Sequence, residues 1–574
     1  MLQREKNNIQ YLLFVAVWLL VVSCANIVTP TGGQKDVLPP VPVSATPKNY
    51  SINFNATSVK ITFDEFIKLK DIGNQFIMSP LQENPPEIKE KGHSVLIQLK
   101  DKPLPNTTYT LSFGNSITDI TEGNYINNYQ YVFSTGETLD SLSVKGSVKN
   151  AFDLKPEDGV YVMLYDKYTD SLPIKSRPQY VCKTNQTGAF EVNNVRSGQY
   201  KIFALKDVNS NYLFDQPNEK IAFLDQLVTP EIFLVPKKDS LNKKDSLNKK
   251  NNFIKKDSLK KNTFTDLFLF EEPDTVQRLL KSNVTQGKRL TFIFKQGTRN
   301  LELRSLRPLP VHDWKIDEFC PTKDTLLCWL KLTGVDSLFL EVKDNGKILD
   351  TVEFSLAVKP TRKGRDEGGL DKLIFYTNVI GNGIFNLNVP LVINFSSPLK
   401  SFDFTKIIFK EEKEIIKPEI HFKDSVQRIL QIDYKWKEET NYSLFIPPGA
   451  LTDMFAHTSD TISVKFKTKT LKNYGTLKLK LDLPSTCSNY ILQLCDEQDK
   501  VLQEQMISSS QTIKLEYLNP GNYKLKVIFD KNNNKKWDSG RYLLKLQPEK
   551  VMYYPGIIGV KANWDLEQEW KITE

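Results

Sequence analysis

The chain has 574 residues, 40% hydrophobic and 25% charged, enough to bury several separate cores. Its formal charge of +9 is concentrated: residues 237–262 hold ten Lys and three Asp, a net of +7, so the remainder is close to neutral. That distribution excludes a folded basic surface for nucleic acid.

At the N-terminus, Arg4 and Lys6 precede an apolar run from Tyr11 to Ser23. Thirteen residues fall short of the roughly 20 that a membrane-spanning helix needs, and they suit the core of a signal peptide. The following Val21-Val22-Ser23-Cys24 resembles a bacterial lipobox. This resemblance implies a signal peptide at 1–23, with Cys24 lipidated and carried to the outer membrane, because Ala25 rather than Asp follows it. The Gly- and Pro-rich stretch that comes next reads as a tether over 24–42. Its Thr-Gly-Gly and Pro-rich leader resemble the start of many exported lipoproteins of the Bacteroidetes. Nothing in it chooses between the periplasmic and the surface-facing side.

Two series of short β-branched and aromatic runs then occur. The first is VKITFDEFIKL, LPNTTYTLSFG, TDITEGN and YVFSTG; the second is LVINFSSPL, WKEETNYSLFIPPG, LTD and VKFKTKT. Phe63, Thr107, Tyr109 and Asp119 correspond to Phe395, Thr440, Tyr442 and Asp453. The spacing of turns predicts β-sandwiches. The T-x-Y strand and the closing F-x-T resemble the bacterial Ig-like domain family, which implies Ig-like domains at 43–137 and 371–470. The second copy lacks the Gly-Asn that follows Thr-Asp in the first, so a different loop is expected there.

The segment after each of these also repeats. Gly198, Tyr200, Lys201, Asp207, Asn209, Asn211 and Asp215 recur 323 residues later as Gly521, Tyr523, Lys524, Asp530, Asn532, Asn534 and Asp538. The G-x-F and G-x-Y strands resemble prealbumin-like, carboxypeptidase-regulatory-like sandwiches, expected at 140–235 and 474–574. In GTLKLKLDLP, Leu and charged residues alternate, the pattern of a half-buried strand. The tail VKANWDLEQEW is expected to add a C-terminal strand. The fold class is thus all-β: tandem sandwiches in a rod. Between the cassettes, the period-six Lys-rich segment 236–262 matches no burial pattern and reads as disordered linker. A further β-rich sandwich is expected over 263–358.

DVNSNYLFD at 207–215 and DKNNNKKWD at 530–538 place oxygen side chains as a calcium loop begins. The metal candidates are Asp207, Asn209, Asn211, Asp215 and Glu219, and more weakly Asp530, Asn532, Asn534 and Asp538. Both lack Gly at the sixth position, and the second has Arg541 at the twelfth with Lys531, Lys535 and Lys536 nearby. The alternative is a hairpin tip whose Asn and Asp bond to their own backbone. Calcium is the only cofactor the sequence raises.

No nucleophile, zinc or phosphate motif occurs, and the four His stand at no metal-ligand spacing. The chain therefore reads as non-catalytic. CPTKDTLLC could turn at Lys323-Asp324 and bridge Cys320 to Cys328. Asp-Ser or Asp-Thr followed by an aliphatic residue resembles an acceptor pattern for O-glycosylation in exported Bacteroidetes proteins, with Ser240, Ser246 and Ser258 in the linker. The expected role is a membrane-anchored lipoprotein presenting binding modules or scaffolding an envelope complex, with envelope proteins or glycans as partners. The alternative is a carbohydrate-binding accessory, which requires exposed aromatic platforms; Trp314, Trp329 and Trp436 are its candidates, and each reads equally well as a core residue.

Overall fold

The computed structural model describes residues 35–169, 171–232, 264–357 and 372–573. The signal peptide, Cys24, and the linker serines Ser240, Ser246 and Ser258 lie outside the described residues. What is described is nearly all β-strand, arranged as successive sandwiches. Two compact units divide it: 1–149, 156–215 and 222–267 form one, and 150–155, 216–221 and 268–574 the other.

In the first unit, an Ig-like sandwich opens the described chain. One sheet runs Pro42–Thr46, Ser58–Phe63, Ser94–Gln98, Glu87–Lys91; the other runs Ile77–Ser79, Thr108–Ser112, Gln130–Ser134. Period-two alternation drives Val59, Ile61 and Phe63 inward. Their core centres on Phe133, which stacks on Phe54 at 3.9 Å and on Tyr109 at 5.3 Å. The following sandwich abuts its three-stranded sheet through short polar links. Val181 N–H donates to Ser79 Oγ at 3.1 Å, and Asn194 Nδ2 to Thr110 Oγ1 at 2.8 Å.

The second unit contains the other Ig-like copy, built on Leu391–Phe395, Ile429–Asp433, Asn441–Ile446 and Ile462–Thr468. The two copies share one hydrogen-bonded corner. Tyr109 Oη accepts the N–H of Leu104 at 2.8 Å, and Tyr442 Oη that of Lys437 at 3.0 Å. Thr135 Oγ1 donates to Leu104 O just as Thr468 Oγ1 donates to Lys437 O, both at 2.6 Å. The copies part company at the paired aspartates. Asp119 caps its loop by accepting four N–H groups, from Thr121, Glu122, Gly123 and Asn124. Desolvation pushes its carboxyl up, but those donors outweigh it and hold the carboxyl below the usual range. Asp453 instead receives Phe455 N–H, His457 N–H, the His457 ring at 3.0 Å and Ser397 Oγ at 2.6 Å. His457 and Ser397 take over the role of the absent Gly-Asn turn.

In the C-terminal sandwich, Gly475–Asp482 buries Leu477, Leu479 and Leu481. The tail strand Asp565–Lys571 pairs with it in parallel, so that Lys478 meets Glu567 at 2.7 Å and Lys480 meets Glu569 at 2.9 Å. Both pairs are solvent-exposed, so water and salt screen them and they add little to stability. Trp570 is buried, whereas Trp564, just before the strand, is exposed.

One boundary needs correction. Phe264–Glu271, expected to open the sandwich at 263–358, lies instead in the seven-stranded sheet of the preceding one, between Lys220–Phe223 and Leu142–Asn150. Ile221 pairs with Phe270, and Leu267 and Leu269 are fully buried. Gly146 permits the approach: a Cβ there would stand 1.8 Å from the carbonyl of Thr265. The Lys-rich stretch is therefore an insertion within one sandwich and not a joint between two. The next sandwich starts with Leu279–Thr285 and buries Leu290, Phe292, Leu326 and Leu340.

Two outcomes follow. Trypsin nicking within 237–261 should give pieces that stay together in size-exclusion chromatography and separate only in denaturant, because Phe264–Glu271 holds its place in the sheet. Fragments that part under native conditions would contradict the pairing. Tyr109→Phe and Tyr442→Phe should each cost about 1–3 kcal/mol in urea unfolding, because a partly buried N–H loses its acceptor.

Candidate metal-binding loops

Each Asn-rich loop leaves the end of a strand, Lys201–Lys206 in one copy and Gly521–Phe529 in the other. The leading aspartate turns its carboxylate back into the loop. Asp207 Oδ1 accepts the N–H groups of Asn209 at 3.1 Å and Ser210 at 2.6 Å, and its Oδ2 that of Tyr212 at 2.7 Å. Asp530, which is buried, accepts those of Asn534 at 3.1 Å and Lys535 at 2.9 Å. The sharp turn forms without glycine. Tyr212 and Lys535, in the sixth position, take left-handed φ of 64° and 65°, as do Ser210 and Asn533 at 59° and 58°. A left-handed residue costs about 1–2 kcal/mol when it carries a Cβ. The aspartate N–H bonds offset that cost, and Tyr212 adds an edge-on contact with Tyr161 at 4.9 Å.

The ninth position closes each loop. Asn209 and Asn211 donate their side-chain N–H groups to the two oxygens of Asp215, at 3.1 and 2.7 Å. Asn532 and Asn534 both donate theirs to a single oxygen of Asp538, Oδ2. In this conformation amide N–H groups, not oxygens, face the closing carboxylate. A half-turn of each amide presents its oxygen instead, at the loss of the acceptors now serving Asn211 N–H and Leu213 N–H. Among the described residues, no three His, Cys, Asp or Glu side chains group as a metal site. A cation here would draw on amide and backbone oxygens as well as carboxylates, a donor set that suits calcium rather than a transition metal.

Position counting places Arg541 at the end of the second loop, and the structure corrects this. Glu219 is buried directly before the strand Lys220–Phe223, with Oε2 accepting Gln216 N–H at 3.0 Å. Its counterpart is Glu549, buried before the return strand Val551–Tyr553. Glu549 accepts Lys531 N–H at 2.8 Å and Asp538 N–H at 3.1 Å. Burial raises its carboxyl, with Asp538 and Asp530 adding to the effect, while the two N–H donors oppose it. The signal was present in the sequence as Glu-Lys-aliphatic-x-aromatic, at 219–223 and again at 549–553. Residues 539–548, ten where the first copy has three, separate it from the loop and defeat fixed-offset alignment. Arg541 lies in that insertion.

Two further expectations fail. Cys320 and Cys328 do not bridge. The hairpin turns where expected, with Lys323 at φ 56°, but its register pairs Phe319 with Leu326 and Asp317 with Cys328. Cys320 therefore stands three residues from the position opposite Cys328, roughly 10 Å along the strand, beyond disulfide reach. Its thiol bonds Asp324 at 3.1 Å, and Cys328 is buried as a free thiol. Trp314, Trp329 and Trp436 are buried and form no exposed platform. Trp329 Nε1 donates to Glu318 at 2.8 Å, and Glu318 in turn pairs with Arg428 at 2.7 Å. Trp436 packs among Phe385, Tyr442 and Phe466.

No curated protein matches the chain. Among solved structures, it is similar to alpha-2-macroglobulin from Escherichia coli over domains MG0-NIE-MG1, at 10% identity, covering 32% of this chain and 72% of that one, with a TM-score of 0.17. The S-layer protein rSbsC matches at 11% identity, covering 90% and 67%, with a TM-score of 0.13. BcpA, the major pilin subunit of Bacillus cereus, matches at 10% identity, covering 75% and 98%, with a TM-score of 0.12. These likenesses bear on neither ligand nor partner. The sequence match is local and specific: residues 36–135 match the bacterial Ig-like domain family, in the stretch that folds as the first Ig-like sandwich.

Proposed function

We propose that the chain is a non-catalytic lipoprotein of the bacterial outer membrane, whose tandem sandwiches serve as spacers and docking surfaces in the cell envelope. The observation that carries this reading is the duplicated cassette: an Ig-like sandwich and an Asn-loop sandwich occur twice, with the same Tyr–Thr corner and the same aspartate-capped loop. Duplication of whole sandwiches multiplies length and surface, which serves presentation and scaffolding. The reading draws its location from the lipobox-like Cys24 and its neighbours, and its partners are envelope proteins or glycans. Carbohydrate recognition by Trp314, Trp329 or Trp436 is set aside, since these rings fill cores. The linker serines Ser240, Ser246 and Ser258 remain proposed O-glycosylation acceptors. Cys24→Ser should abolish incorporation of a labelled fatty acid; a mutant that still takes up label would refute the anchor.

Calcium at the first loop is part of the same proposal, with a stabilising role. Asp207, Asn209, Asn211 and Asp215 belong to one hydrogen-bonded loop, and the left-handed Tyr212 supplies the turn that glycine usually makes. The second loop should bind more weakly, because Lys531, Lys535 and Lys536 surround it. The test uses the whole chain from Ala25, since a fragment ending at 235 would lack the strand Phe264–Glu271. A ligand that binds only the folded state stabilises it by roughly 2.7 kcal/mol at a hundredfold excess over its dissociation constant. Calcium should raise the melting temperature relative to chelator, Asp207→Ala should remove most of that shift, and Asp530→Ala should remove less. Identical melts with calcium and with chelator would leave both loops as aspartate-capped tips.

A further inference from the structure

The insertion that separates Asp538 from Glu549 has a composition unlike the rest of its sandwich. It reads Ser-Gly-Arg-Tyr-Leu-Leu-Lys-Leu-Gln-Pro, where the first copy has only Gln216, Pro217 and Asn218. Leu543, Leu544 and Leu546 are 67%, 60% and 53% exposed. An isolated exposed leucine calls for no explanation, but three in four residues at one tip do.

The tip is held in a defined shape. Arg541 and Leu546 exchange backbone hydrogen bonds at 2.8 and 2.9 Å, and Lys545 N–H donates to Tyr542 O at 2.8 Å. Its base is tied down as well. Tyr542 is buried, its N–H donates to Glu272, and Ser539 Oγ donates to Glu271 O. Gly540 fits only because it lacks a side chain: a Cβ would lie 2.6 Å from the Phe270 ring and 2.7 Å from Leu546 O. The leucines are thus displayed from a fixed base, while the tyrosine beside them is turned inward.

Exposed cations outnumber exposed acids in the tip and its neighbouring loop. Lys531, Lys535, Lys536 and Lys545 are exposed and Arg541 is half-buried; Asp530 and Glu549 are buried, Glu272 and Asp538 half-buried, and Glu271 at the base is exposed. Asp538 faces Lys536 at 3.8 Å. An exposed apolar tip with an excess of cations in it and in the adjoining loop suits an anionic lipid surface. Hydrocarbon closes around a protruding leucine of any shape, while a protein partner would need a matching groove. The cations meet headgroup phosphates as the leucines enter the acyl boundary.

We propose that the Leu543–Leu544–Leu546 tip inserts into an anionic phospholipid surface, giving the C-terminal sandwich its own membrane contact, independent of any acylation at Cys24. The test is co-sedimentation of the chain from Ala25 onward, which lacks the lipid-bearing cysteine, with vesicles of equal parts phosphatidylcholine and phosphatidylglycerol. The chain should pellet with these and not with phosphatidylcholine alone. Replacing all three leucines by serine should weaken binding by about tenfold or more, and Lys535→Glu with Lys536→Glu should weaken it and flatten its salt dependence. Because the leucines are exposed and Lys535 and Lys536 are exposed side chains of the adjoining loop, the variants should keep the parent's melting temperature in chelator. As a second readout, Leu544→Trp should gain fluorescence that brominated lipid quenches. The proposal falls if the parent does not pellet, if the serine variant pellets equally, or if Trp at 544 is not quenched. Concentration-dependent dimerisation without vesicle binding would assign the tip to a second copy of the chain and overturn it too.

Discussion

Each sandwich in this chain depends on pairing the backbone N–H groups where strands end and loops begin. A buried N–H without an acceptor costs about as much as a lost hydrogen bond, so a fold made of many short strands must find an acceptor at every corner. Backbone carbonyls serve many of these donors, and at several corners the acceptor is a side-chain oxygen. Tyr109 and Tyr442 supply it at the Ig-like corners. Aspartates supply it elsewhere: Asp119 takes four N–H groups, Asp344 those of Arg299 and Asn300, Asp424 those of Arg428 and Ile429, and Asp496 those of Gln498 and Lys500. The Asn-rich loops extend the same device, with Asp207 and Asp530 as the acceptors.

The device also accounts for where the two cassettes agree and where they diverge. The side chains that pair with the backbone at the corner, Tyr109 with Thr135 and Tyr442 with Thr468, are the same in both copies. The loop after Asp119 and Asp453 changes, because any group able to satisfy the carboxylate will serve; a histidine ring and a serine hydroxyl stand in for two of the four N–H donors. Between Asp538 and Glu549 the chain grows by an exposed turn without disturbing the strands on either side, as a surface loop tolerates added length at small entropic cost. Glu549 keeps its place ahead of the return strand despite that growth, since the N–H groups of Lys531 and Asp538 still need it.

Much of this architecture was legible in the sequence. Strands came from alternation, as in Gly475–Asp482, and duplication came from matched Tyr, Thr, Asp and Gly at fixed offsets. These are local signals, in which the residue carrying the pattern also makes the hydrogen bond or buries the face. Even Glu549 left one, in the repeated Glu-Lys-aliphatic-x-aromatic, which a fixed offset hid behind the insertion.

The tertiary structure decided whatever depended on partners distant along the chain. That Phe264–Glu271 returns to the sheet of Leu142–Asn150 follows from Gly146 and the buried Leu267 and Leu269, and alternation is the same whichever sheet a strand joins. Whether Cys320 reaches Cys328 was a matter of hairpin register, since a shift of three residues moves a thiol out of range whatever the turn. Whether Trp314, Trp329 and Trp436 faced water or core depended on what covered them, and a tryptophan reads alike in both settings. The sequence by itself determined the kind of elements and their repetition, because those rest on neighbours within a few residues. Pairing, register and exposure belong to contacts between segments that only the folded chain brings together.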